Sequence, residues 1–138
     1  MKHRYIFFSL LCALFFGGFT ASAQNAMSEE EREKQLQEAI DKTIETLTRQ
    51  LKLEDWQVFY VDSILNHDYH QSNIELMEMQ KQRVANSNLY YQVQDKWAER
   101  IYEAFQGVFT EEQWNKYLKS GAARDKKARD KRAGKAGN

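Results

Sequence analysis

The apolar positions of this chain recur at helical spacing almost throughout. Leu36, Ile40, Ile44, Leu47 and Leu51 step by four or three among charged residues, which predicts a helix over roughly 29–51 with one narrow apolar stripe. A second helix is expected from Glu54 and Asp55, with Trp56, Phe59, Tyr60, Ile64 and Leu65 on a broader apolar face read as core. Neither proline nor glycine interrupts the pattern through Tyr69, Ile74 and Met77 to Val84, so one long helix is predicted, with 67–73 the place for any bend. The short polar side chains of Asn86, Ser87 and Asn88 favour a cap or turn there. Leu89, Val93, Trp97, Ile101, Ala104 and Phe105 then give a third helix, for which Gly107 is the natural stop. A fourth, short helix should carry Trp114, Tyr117 and Leu118 inward and close at Ser120 and Gly121.

These elements predict an all-α fold, an elongated antiparallel helical hairpin of about four helices. A helix over 54–84 would run about 45 Å at the standard rise, against a radius of gyration near 13 Å for a compact domain of about 100 residues. Helices so long leave apolar side chains exposed on at least one face, and a second copy is the simplest cover, so an intertwined homodimer is expected. Burial of Trp56, Trp97 and Trp114 is expected to hold the domain together, at about 2 to 3 kcal/mol each.

The helix starts are marked as clearly as the stripes. Ser28 followed by Glu31 is a capping box, and Glu29, Glu30 and Glu31 suit the positive end of the helix dipole. Two related words open later helices: Leu53-Glu54-Asp55-Trp56-Gln57 and Phe109-Thr110-Glu111-Glu112-Gln113. Each sets an apolar residue before a helix-starting residue and a glutamine three positions further on, as a capping box requires.

The first residues bear on location. Lys2, His3 and Arg4 precede an apolar run from Tyr5 to Phe19, and Ala21-Ser22-Ala23 supplies small residues for cleavage near Ala23. Residues 1–23 therefore read as a signal peptide, residues 24–120 as the helical domain and residues 121–138 as a basic flexible tail. The expected location is periplasmic or secreted. The apolar run falls short of the roughly 20 residues that span a bilayer, so no transmembrane segment is expected. Removing the leader also removes Cys12, the only cysteine, so neither a disulfide nor a thiolate metal site is expected in the mature chain.

Charge is balanced overall but not locally. Between residues 24 and 120 there are 18 acidic residues against 11 basic ones, whereas residues 121–138 hold 7 basic against 2 acidic, so an acidic body precedes a basic tail. No aromatic residue interleaves with the tail's charges, which argues for a solvated segment able to meet anionic surfaces and not for a nucleic-acid site. Enzyme signatures are missing as well. No glycine-rich phosphate loop or nucleophile elbow is present, and the carboxylates are spread along helix surfaces, so no catalytic residue is nominated.

The two words, the export pattern and the helical periodicity together resemble the Spy/CpxP family of periplasmic chaperones and stress sensors, whose signature is a repeated Leu-Thr-x-x-Gln. The second word keeps Thr110 and Gln113 with Phe109 for the leucine, and the first keeps Leu53 and Gln57 with Glu54 for the threonine. The resemblance implies a cradle-shaped helical dimer that binds unfolded or misfolded exported proteins without ATP. It also implies that Leu53, Gln57, Phe109, Thr110 and Gln113 hold helix ends and do not touch clients. Such a holdase needs adaptable apolar groups beside solubilising charge, and Ile74, Met77, Met79, Tyr90 and Tyr91, with Glu78, Lys81 and Arg83 nearby, are the candidates. The alternatives are a metal-binding or metal-sensing helical protein, or a module for one specific protein partner. For metal, His67 and His70 share a helix face and supply half of a zinc, nickel or copper site; no complete tetrahedral set is visible nearby, so solvated helix histidines and no cofactor are expected.

Overall fold

A computed structural model describes residues 27–136, and the expected signal peptide with its cleavage site lies outside them. Most of the described residues are helical: α1 (Glu29–Leu51), α2 (Asp55–Lys81), α3 (Ser87–Val108), α4 (Glu111–Tyr117) and α5 (Ala123–Ala136). No strand occurs among them, and no helix there is long and apolar enough to cross a membrane.

Local chemistry sets each boundary. The Ser28 hydroxyl accepts from the Glu31 N–H at 3.1 Å while the Glu31 carboxylate accepts from the Ser28 N–H at 3.0 Å, so α1 starts on a complete capping box. α1 ends where Lys52 takes a left-handed conformation, φ 52°, and the Leu53 N–H turns back to the Thr48 carbonyl. α2 then runs unbroken for 27 residues, about 40 Å, through the stretch where a bend was allowed for. Asn86 caps α3 through its side chain, as the polar triplet suggested. α3 continues one residue past the expected stop at Gly107, because the Phe109 N–H still reaches the Phe105 carbonyl and Gly107 keeps its helical place.

α1 and α2 pack side by side, and α2 and α3 form the long hairpin. The core lies at the end where the two words meet. Ile40, Leu47 and Leu51 of α1, Val61 and Leu65 of α2, and Ile101 and Phe105 of α3 close around Phe109, Tyr117 and Ala122. Phe105, Phe109 and Tyr117 form a triangle of rings with centroids 5.0 to 5.6 Å apart. Trp114 joins from the side, half-buried, against Tyr102 at 4.9 Å.

Three expectations are corrected. Trp56, Phe59 and Tyr60 are not core: they are 51%, 68% and 51% exposed. α2 is apolar on more than one face, and the face it buries is Gln57, Val61, Leu65, Asp68, Ser72 and Leu76. That face wins because Gln57 meets Gln113 inside and the exposed Arg100 and His67 reach in to Asp68, which offsets the cost of burying the two polar groups. Trp97 is half-buried and stands outside the core cluster. Finally, the stretch expected as a tail is helical over Ala123–Ala136. Gly121, at φ 127°, kinks the chain within the wide turn Leu118–Ala122, and α5 then folds back along α3 because its basic residues meet acidic ones there.

Removing a buried ring should therefore matter where removing an exposed one does not. Phe105→Ala is expected to cost about 3 to 5 kcal/mol in chemical denaturation. Trp56→Ala should stay within about 0.5 kcal/mol of the parent, and the reverse ranking would place the core elsewhere.

Candidate functional site

The two words come together in space. Gln57 and Gln113 are 1% and 9% exposed and lie amide to amide. Gln57 Nε2 donates to Gln113 Oε1 at 2.6 Å, and Gln113 Nε2 donates to Gln57 Oε1 at 3.0 Å. Each oxygen also accepts from its own helix start: Gln57 Oε1 from the Glu54 N–H at 3.0 Å, Gln113 Oε1 from the Thr110 N–H at 2.9 Å. The second proton on each nitrogen crosses to the other junction. Gln57 Nε2 donates to the Val108 carbonyl at the end of α3, and Gln113 Nε2 to the Leu51 carbonyl at the end of α1. The arrangement is two-fold in pattern and uses every donor and acceptor the two amides possess. Leu53 and Phe109 pack into or against the core beside it, and Thr110 caps α4 by accepting from the Gln113 N–H at 3.3 Å. These five residues are thus in structural positions at one end of the molecule.

The opposite end carries an open apolar surface. Ile74 is 58% exposed, and Leu89 and Tyr91 are also exposed, toward the α2–α3 connection. An open groove of about 380 Å³ lies there, lined by residues including Ile74, Glu75, Glu78, Met79 and Trp97. Its charge is fixed. Glu75 accepts from Lys96 Nζ at 2.6 and 2.7 Å and from the Trp97 indole N–H at 2.7 Å. The Lys96 hydrogen bond first, then that of Trp97, hold the Glu75 carboxyl below the usual range, against a smaller opposing effect of burial. Lys96 and Arg100 also stand over the Trp97 ring, at 5.1 and 5.3 Å from its centroid.

The five residues nominated for client contact divide on this surface. Ile74 and Tyr91 are exposed, and Met79 lines the groove. Met77 is half-buried with its sulfur 3.6 Å from Asn73 Nδ2, and Tyr90 donates from its hydroxyl to the Val84 carbonyl at 2.8 Å, pinning the α2–α3 connection. Sequence reasoning missed a second patch, Trp56, Phe59 and Tyr60, whose rings meet edge to face at 5.7 to 6.2 Å. Its signal was present, since these residues alternate with Gln57 and Val61 around α2 and cannot share their face.

His67 and His70 engage different partners. His67 Nδ1 lies 2.7 Å from Asp68 Oδ1, while His70 sits with Nδ1 2.6 Å from the Asn66 carbonyl and Nε2 2.6 Å from Glu33 Oε1 of α1. Among the described residues no three His, Cys, Asp or Glu side chains are grouped as a metal would require.

No family model, no curated protein and no solved structure matches this chain.

Either glutamine's loss strands the other's buried amide. Gln57→Ala and Gln113→Ala should each destabilise by about 2 to 3 kcal/mol, while the double variant falls short of their sum by at least about 1 kcal/mol. Additive losses in denaturant titrations would show that the amides do not act as a pair.

Proposed function

We propose that this chain is an exported, ATP-independent holdase that binds non-native proteins on its exposed apolar surface and works as a homodimer. The observation that carries this reading is the exposure of Trp56, Phe59, Tyr60, Ile74, Leu89 and Tyr91, together with their charged surroundings. Exposed apolar patches of this kind on a folded protein mark interaction surfaces. Partial burial of several such side chains, at about 2 kcal/mol each before ordering costs, gives binding that is useful and reversible.

The surroundings of the groove fit that role. Glu75 is tied to Lys96, Glu78 stands at the rim, and Lys81 and Arg83 follow at the end of the hairpin. These charges keep a bound client in solution and shorten its stay. The scaffold supports the reading too, since the buried amide pair stiffens one end while the surface groups of the other remain adaptable. The export pattern of residues 1–23 and the paired words, which resemble those of the Spy/CpxP family, support a role among unfolding clients outside the cytoplasm. A second copy would cover part of the apolar surface and leave the rest for clients.

Light scattering from an aggregating client, without nucleotide, tests this. The mature chain should suppress aggregation at near-stoichiometric ratios, and the double variant Phe59→Ser with Ile74→Ser should lose most of that effect with a melting temperature within about 2 °C of the parent. Absence of suppression against several unrelated clients would refute the holdase reading.

A further inference from the structure

α5 lies against α3 on a ladder of charges. Arg132 grips Asp95 with Nε and Nη2, each at 2.7 Å. Arg129 Nε reaches Glu99 Oε2 at 3.1 Å, and Lys126 Nζ reaches Glu99 Oε1 at 3.0 Å. The same two cations lie over the Tyr102 ring, 5.5 and 5.9 Å from its centroid. Asp95, Glu99 and Tyr102 advance along one face of α3 while Arg132, Arg129 and Lys126 retreat along one face of α5, so the two helices mate antiparallel. The carboxylates of Asp130 and Glu99 raise the pKa of Lys126 above the ordinary lysine range, in keeping with this pairing.

The seat is electrostatic in character. Ala123, Ala128 and Ala133 of α5 are exposed, and no residue of the helix belongs to the apolar core. Arg132, 47% exposed at the outer end of the ladder, makes the pair most open to water, and such a pair holds weakly and is screened by salt. Arg129, only 9% exposed, carries a buried Nη2 that finds no hydrogen-bond partner in the seated position. Lifting α5 returns that nitrogen to water. Gly121, at a φ of 127° that is open to glycine and strained for other residues, and the buried Ala122 that follows it anchor the near end of α5, so its far end is the part free to lift.

An acidic and aromatic face with a cationic helix seated on it, and an orphaned guanidinium nitrogen in that seat, point to a site whose occupant can leave. We propose that the Asp95, Glu99 and Tyr102 face of α3 binds basic helical segments of client proteins, and that α5 is a tethered occupant which such a segment displaces. This rests on the holdase reading and adds to it a client class and a gate. The face accepts Lys or Arg at steps of three and repels acidic segments. A short tether holds α5 at an effective concentration of about millimolar, so it sets a threshold that only a strongly basic segment passes.

A fluorescent peptide with the sequence of residues 123–136 is the probe, titrated into the intact mature protein at about 50 mM salt, where screening is modest. With α5 neutralised as K126Q/R129Q/R132Q, the peptide should bind at least tenfold more tightly than to the parent, and adding D95K/E99K should abolish that binding. Arg132→Gln alone, which removes a half-exposed pair and should leave the melting temperature in place, is expected to tighten binding about threefold, so the test does not depend on the triple variant folding. Equal affinity for the parent and both variants, or binding that survives D95K/E99K, would overturn the proposal. The titration reads the α3 face without an aggregating client, so its failure and failure of the holdase reading are separately visible.

Discussion

Two glutamine amides, 56 residues apart in sequence, hold the helix junctions of this protein together. A buried side-chain amide is costly unless both its protons and its oxygen are satisfied, and here each amide satisfies the other while also serving two backbone groups. The crossing of the outer bonds is what matters. Gln57 opens α2 but closes α3, and Gln113 opens α4 but closes α1. Four helix ends that would otherwise leave backbone groups unpaired in the interior converge on one point, and the core assembles around it.

Fixing that end frees the other. Because α1 starts at Glu29, only about one turn beyond the Glu33 and His70 contact, the final turns of α2 and the first turns of α3 stand as a two-helix projection. Leu76 is buried there but lies outside the core cluster. A projection so thin cannot bury both faces of its helices, and Ile74, Leu89 and Tyr91 are exposed as a consequence. The aromatic patch on α2 has a related origin. Gln57 must face inward to meet Gln113, so Trp56, Phe59 and Tyr60 must face outward.

Much of the fold was legible in the sequence because helix periodicity and capping are local. The bounds of α1, the start of α2, the break at Asn86 and the capping boxes at Glu54 and Thr110 all follow from residues within a few positions of each other. What was not legible depends on contacts between distant segments. The facing of α2 is ambiguous from composition, because apolar residues occur around it and the polar ones that turn inward do so for partners on other helices. α5 was hidden for a similar reason. A basic, alanine-containing stretch reads as a solvated tail until Asp95 and Glu99 are seen one turn apart on the helix it lies against. Of the site, the two words were visible as separate caps, but nothing local indicates that their glutamines meet.

The amide pair is tested most directly by hydrogen exchange at the two backbone N–H groups it binds, those of Glu54 and Thr110, resolved by NMR. Residues at helix starts ordinarily exchange fast, since their N–H groups lack an intrahelical partner. The account predicts that both are protected to nearly the same degree, close to the slowest core amides such as that of Phe105, and that replacing either glutamine releases both. Fast exchange at both positions in the parent protein, or release of only the N–H nearest the substituted glutamine, would contradict it.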